Sequence, residues 1–153
     1  MGADAMIEKL GLELPPAPQP QGVYKPMVIS GNMAYLSGHG PFRNDGSMPT
    51  GRVGEDMTLE DGYAEARQTG LALLSTLRDS LGSLDKVKRV IKTLALVNST
   101  NDFAQQPKVV NGCSDLFVEV FGPDNGVGAR SAMAANVLPG NIPVEIEMIV
   151  ELV

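Results

Sequence analysis

From Ala66 the apolar positions run through Gly70, Leu73, Leu74, Leu77 and Leu81, the spacing of one helix face. Thr58 ahead of them supplies an N-cap, and Glu60 and Asp61 put acids in the first turn, where the helix dipole favours them. Gly82 is placed to end the helix. Val110, Cys113, Phe117, Val120 and Phe121 give a second amphipathic helix, stopped by Gly122-Pro123. A two-residue period governs the end of the chain: Val144, Ile146, Met148, Val150 and Leu152 lie on one face, Glu145, Glu147, Ile149 and Glu151 on the other. Val87 to Val97, rich in β-branched and aliphatic residues, predicts a central strand. Strands are also expected over Val23 to Ser30, Met33 to Gly38 and Arg130 to about Val137. The first two join at Gly31-Asn32, which tolerates the positive φ of a tight hairpin.

The order is ββαβαββ, an α+β fold with a mixed sheet and two helices packed on one face. Residues 1–21 read as an N-terminal extension, with a short helix over Met6 to Leu10 and a proline-rich connector over Pro15 to Gly22. Residues 22–153 form the domain. His39 to Asp56 is a long loop rich in Gly and Pro, expected to edge a pocket and set the size of what enters. Gly122 to Gly128 is a second loop, and Leu138 to Asn141 a turn. A regular hairpin at that turn pairs Glu145 near Ala134, on the order of 14 Å from Arg130. One small molecule cannot touch both at that distance, so a bulge, a strong twist or a neighbouring subunit must close the gap.

Composition narrows the function classes. The 153 residues fit one domain. A formal charge of −6 repels phosphate backbones and disfavours nucleic-acid partners. No apolar run approaches the roughly 20 residues of a membrane helix. The N-terminus lacks the basic start and apolar core of a secretory signal, so a cytoplasmic protein is expected. One Cys cannot form an internal disulfide and one His cannot anchor a histidine-rich metal site, so neither metal nor cofactor is expected. Cys113, on an apolar helix stripe, reads as a small hydrophobe.

Three pieces carry candidate chemistry. Tyr35-Leu36-Ser37-Gly38-His39-Gly40 is a strand end whose glycines let a ligand approach the backbone; its plain reading is a strand ending in a turn. Arg130 presents a planar fork suited to a carboxylate or phosphate, although a surface Arg is commonly just solvated. Glu145 and Glu147 share a strand face, which otherwise reads as a solvated sheet surface.

Together these pieces resemble the RidA/YjgF/YER057c/UK114 family over roughly Gly22 to Leu152. The resemblance lies in Gly31-Asn32-Met33, Ser37-Gly38 with Tyr24 upstream, Ala66-Arg67-Gln68 and Asn101-Asp102-Phe103-Ala104 with Asn111. Its most specific part is Ala129-Arg130-Ser131, then Leu138-Pro139, then Val144-Glu145-Ile146-Glu147. It implies a chorismate-mutase-like fold, a homotrimer with pockets between subunits, and hydrolytic deamination of 2-imino or 2-enamino acids. By the same resemblance Arg130 grips the substrate carboxylate and Glu145 holds the attacking water. Tyr24, Ser37, Gly38 and Asn111 line the pocket, with His39 beside it. The chain departs from the family pattern at Ala132, where a cysteine is frequent, at Gly128, in the long loop and in the extension. Two other functions fit these residues less fully: a non-catalytic receptor for a small carboxylate, and an endoribonuclease. The acidic charge, the absence of Trp and only three Tyr and four Phe leave the last without a groove or a stacking platform.

Overall fold

The computed structural model describes all 153 residues, Met1–Val153. Helix α1 (Ala3–Lys9) leads through an extended connector to strands β1 (Met27–Ser30) and β2 (Met33–His39). Helix α2 (Leu59–Leu81), strand β3 (Val87–Asn98), helix α3 (Gln106–Phe121), a single turn α4 (Pro123–Gly126) and strands β4 (Ala129–Ala135) and β5 (Val144–Leu152) follow. The five strands lie in the order β1-β2-β5-β3-β4, antiparallel except for the parallel β3–β4 pair.

Helix α2 begins as the sequence requires. Thr58 Oγ1 accepts from the Asp61 N–H at 3.1 Å, and the Asp61 carboxylate accepts from the Thr58 N–H at 2.9 Å, a reciprocal capping box. Gly82 ends the helix at φ +83°, a conformation only glycine adopts without strain. Leu73, Leu74 and Leu77 are wholly buried, each contributing roughly 1.5–3 kcal/mol of apolar burial. Helix α3 docks closely against α2, because a Cβ at Gly112 would collide with the Tyr63 carbonyl. Both helices cover one face of the sheet. Val144, Ile146, Met148 and Val150 point into that layer, while Glu145, Glu147 and Ile149 point to the other face.

Five expectations change. The centre of the sheet is β5, with β3 beside it, because β5 alone pairs β2 with β3. Strand β1 begins four residues later than expected, after Pro26, which has no N–H to give a ladder. The Gly122 to Gly128 loop contains a helical turn started by Pro123. Most important, β4 and β5 form no hairpin. Leu138–Asn141 carries the chain from the sheet edge across β3, and β4 pairs only with β3. The N-terminal helix starts earlier than expected and docks on the core through Ala3 and Ile7, both buried.

Candidate functional site

Strand β3 is a ruler between Arg130 and Glu145. Arg130 is level with Thr93 and Glu145 with Leu96. Three positions along β3 and two strand spacings put the two backbones about 14 Å apart. An odd separation along a strand also sends the two side chains to opposite faces. Thr93 is buried under the helices; Leu96 lies on the other face with Glu145. Neither a bulge nor a twist within one chain brings these groups onto one small molecule.

On the helix side, Arg130 Nη1 donates to Asn111 Oδ1 at 2.7 Å and to Ser114 Oγ at 3.1 Å. Both partners stand on α3, three residues apart and therefore on one face. These bonds leave Nε and Nη2 without a protein acceptor, so part of the fork is available to an anion. The group borders a cavity of about 260 Å³ that also touches Gly126 and Gly128. Beneath it Cys113 is buried, and desolvation pushes its thiol well up despite the nearby Arg130 charge, which keeps it protonated.

On the open side a cleft of about 430 Å³ gathers Tyr24, Ser37, Gly38, His39 and Glu145. The β2–β5 register slips between Leu36 and His39, where three steps on β2 face two on β5. This bulge lets Leu36 and His39 both point under the helices and turns Ser37-Gly38 toward Glu145. Glu145 is half-buried and is the one carboxylate in the cleft. Desolvation first, and the neighbouring Glu147 charge second, raise its pKa above the ordinary glutamate value. Tyr24 Oη accepts from the Gln21 N–H at 3.0 Å, which leaves its own proton free to donate. Ser37 Oγ donates to the Lys25 carbonyl at 2.6 Å and its N–H to the Pro26 carbonyl, so its hydroxyl is committed to holding the chain.

His39 ends β2 rather than opening the loop, and it is buried. Its Nδ1 faces the Ser37 carbonyl at 2.6 Å, and a carbonyl only accepts, so Nδ1 carries the proton. Nε2 then accepts from Thr76 Oγ1 at 2.7 Å. Burial lowers the His39 pKa, and the Ser37 bond opposes this only in part. Both nitrogens are occupied, so His39 shapes the cleft wall as a neutral ring.

The loop after β2 edges the cleft through Gly40, Phe42 and Met48. It is fastened farther on, where Val53 exchanges backbone bonds with Asn98 and Thr100. Two features escaped sequence reasoning. Ser114 was legible in principle, as a polar residue three after Asn111 on a helix facing the Arg130 strand. Pro18–Gln21, which line the cleft, gave no local signal.

The family described as "YjgF/chorismate_mutase-like, putative endoribonuclease" matches residues 4–152. The chain is 40% identical over 148 residues to Protein TCP17 of Trypanosoma cruzi, covering 97% of this chain and 92% of that one. It is 30% identical over 146 residues to the 2-iminobutanoate/2-iminopropanoate deaminase of Dermatophagoides farinae, covering 95% and 98%. Among solved structures, a "putative endoribonuclease" from Shewanella oneidensis superposes with a TM-score of 0.94 at 29% identity, covering 99% of this chain and all of that one. The α+β sheet with helices on one face is the fold these proteins share. No helix is long and apolar enough to cross a membrane. By sequence and by fold, the chain belongs to the RidA/YjgF family.

Proposed function

We propose that the protein hydrolyses reactive 2-imino acids to 2-keto acids and ammonia, as a homotrimer whose sites lie between subunits. The observation that carries this reading is the half-buried Glu145 carboxylate, the one acid in its cleft, with a raised pKa. Water adds to the carbon of the protonated C=N while Glu145 takes one of its protons. Glu145 returns that proton to the carbinolamine nitrogen, the C–N bond breaks with its electron pair leaving on ammonia, and the hydroxyl gives its proton back to Glu145 as the C=O forms. A carboxylate of raised pKa suits these transfers. Such imines also hydrolyse unaided in water, so positioning and charge stabilisation are sufficient.

The carboxylate subsite is the Arg130, Asn111 and Ser114 group of the adjacent subunit. Two observations support the sharing: the two groups lie on opposite faces of one sheet, and the open face carries apolar side chains. Val28, Tyr35 and Met133 are each about half exposed there, beside Leu94, Leu96 and Ile149. Covering such a face is the usual reason for self-association. Relationship to the mite deaminase supports the chemistry. An endoribonuclease ranks last, because no Lys or Arg lines the Glu145 cleft.

The test is calorimetry with a non-reactive keto acid beside an assay of keto-acid release from enzymatically generated imines. Arg130→Lys keeps the charge but loses the fork, and weakens binding about ten- to hundred-fold. Glu145→Gln binds and does not turn over. Wild-type turnover by Glu145→Gln refutes the deaminase; binding without hydrolysis by the wild type makes the protein a carboxylate receptor.

A further inference from the structure

We propose that the Pro18–Gln21 segment is a wall of the Glu145 cleft that selects substrates with an extended apolar side chain. The inference rests on the imino-acid reading of that cleft and goes beyond it to the substrate class. The cleft has two regions. At one, Glu145 lies against Gly38. Two residues farther on, Met48 Sδ and the Ile142 side chain meet over Gly40, close enough that a Cβ there would touch both. With the polar reaction centre at Gly38, a substrate side chain runs toward Met48 and Ile142. Pro18 and Pro20 line the same space.

The segment is built to be a stiff, apolar surface. It is anchored at both ends: the Pro15 carbonyl accepts from Ser75 Oγ, and the Lys25 and Pro26 carbonyls accept from Ser37. Between Pro16 and Tyr24 every hydrogen bond stays inside the segment, including Gln19 to Ala17 and Gln21 to Tyr24. Proline has no N–H and a fixed φ, so the chain holds an extended form at low entropic cost and shows a ligand mainly ring carbons. At about 430 Å³ the cleft is within the roughly 300–1,000 Å³ of small-ligand sites, so a chain longer than two carbons has room.

The test compares the wild type with the combined replacement Pro18→Gly, Gln19→Ser and Pro20→Gly. The probes are 2-oxobutanoate, 4-methyl-2-oxopentanoate and phenylpyruvate, titrated calorimetrically. The wild type binds the two longer acids more tightly. The replacement weakens both about ten-fold, the effect of one to two methylenes' worth of lost contact, and leaves 2-oxobutanoate unchanged. Its melting temperature falls only by the few degrees that two Pro→Gly changes cost through the unfolded chain's entropy, because no bond to the body is lost. Should it fail to fold, Pro18→Gly alone shows the same selective loss. An unchanged affinity ratio, or equal loss for all three acids, overturns the wall. If the wild type binds none of them, the reading of the cleft itself fails and the wall falls with it.

Discussion

The Glu145 carboxylate occupies the space that a side chain at Gly38 would need: a Cβ there would stand 3.0 Å from Glu145 Cδ and Oε2. Gly38→Ala therefore displaces the carboxylate rather than the backbone. Turnover drops about 10- to 100-fold, as expected when a reacting group shifts by a fraction of an ångström to an ångström. Keto-acid release and thermal melting together check this; a fall in activity that merely follows a fall in stability contradicts it.

Glu147 is the one charged neighbour that raises the Glu145 pKa. Burial is the larger cause and survives its removal. Glu147→Gln removes a repelling charge, so Glu145 ionises more readily and its pKa falls toward the ordinary value. The acid limb of the turnover–pH profile moves to lower pH. A limb that stays, or moves up, assigns it to another group.

His39 links stability to pH. Its folded pKa lies below the ordinary 6.5. Above that value the ring is neutral in both states and its contribution is fully present. As pH falls through about 6.5 the unfolded chain takes up the proton first, and stability is lost until the folded pKa is passed. Denaturant titrations between pH 8 and 5 record this decline. In His39→Ala the His39 part of it disappears; the variant costs about 2 kcal/mol near pH 8, where Thr76 and the Ser37 carbonyl lose their partner, and the gap to the wild type narrows as pH falls. An identical pH slope in both proteins contradicts the assignment.

Much of the fold was legible because its causes are local. The leucine spacing of α2, its Thr58 cap and Gly82 stop, and the alternation of β5 all act within a few residues. Strand pairing does not. Leu138-Pro139-Gly140-Asn141 has the composition of a hairpin turn, yet the apolar faces of β3 and β5 match each other and exclude β4 to the edge. The site divides the same way. Arg130, Ser37, Gly38 and Glu145 stood out by residue type and Asn111 only through the family resemblance, whereas the bulge that turns Gly38 toward Glu145 depends on β5, more than a hundred residues on. Nothing near Pro18 hints at the cleft it lines.

Ser114 acts through Arg130. Ser114→Ala removes one of two bonds that fix the guanidinium, while Asn111 keeps the other. Keto-acid affinity weakens about two- to ten-fold and KM rises to match, with kcat nearly constant, the loss of one ordinary hydrogen bond. A fall in kcat at constant KM places Ser114 elsewhere in the mechanism.

The central claim is that Arg130 of one subunit and Glu145 of the next serve one substrate. Arg130→Ala and Glu145→Gln proteins, each inactive, are unfolded, mixed in equal amounts and refolded together, then assayed for keto-acid release. In a cyclic trimer every mixed assembly contains one intact site, so the mixture regains about a quarter of wild-type activity. A mixture as inactive as its parents contradicts the shared site.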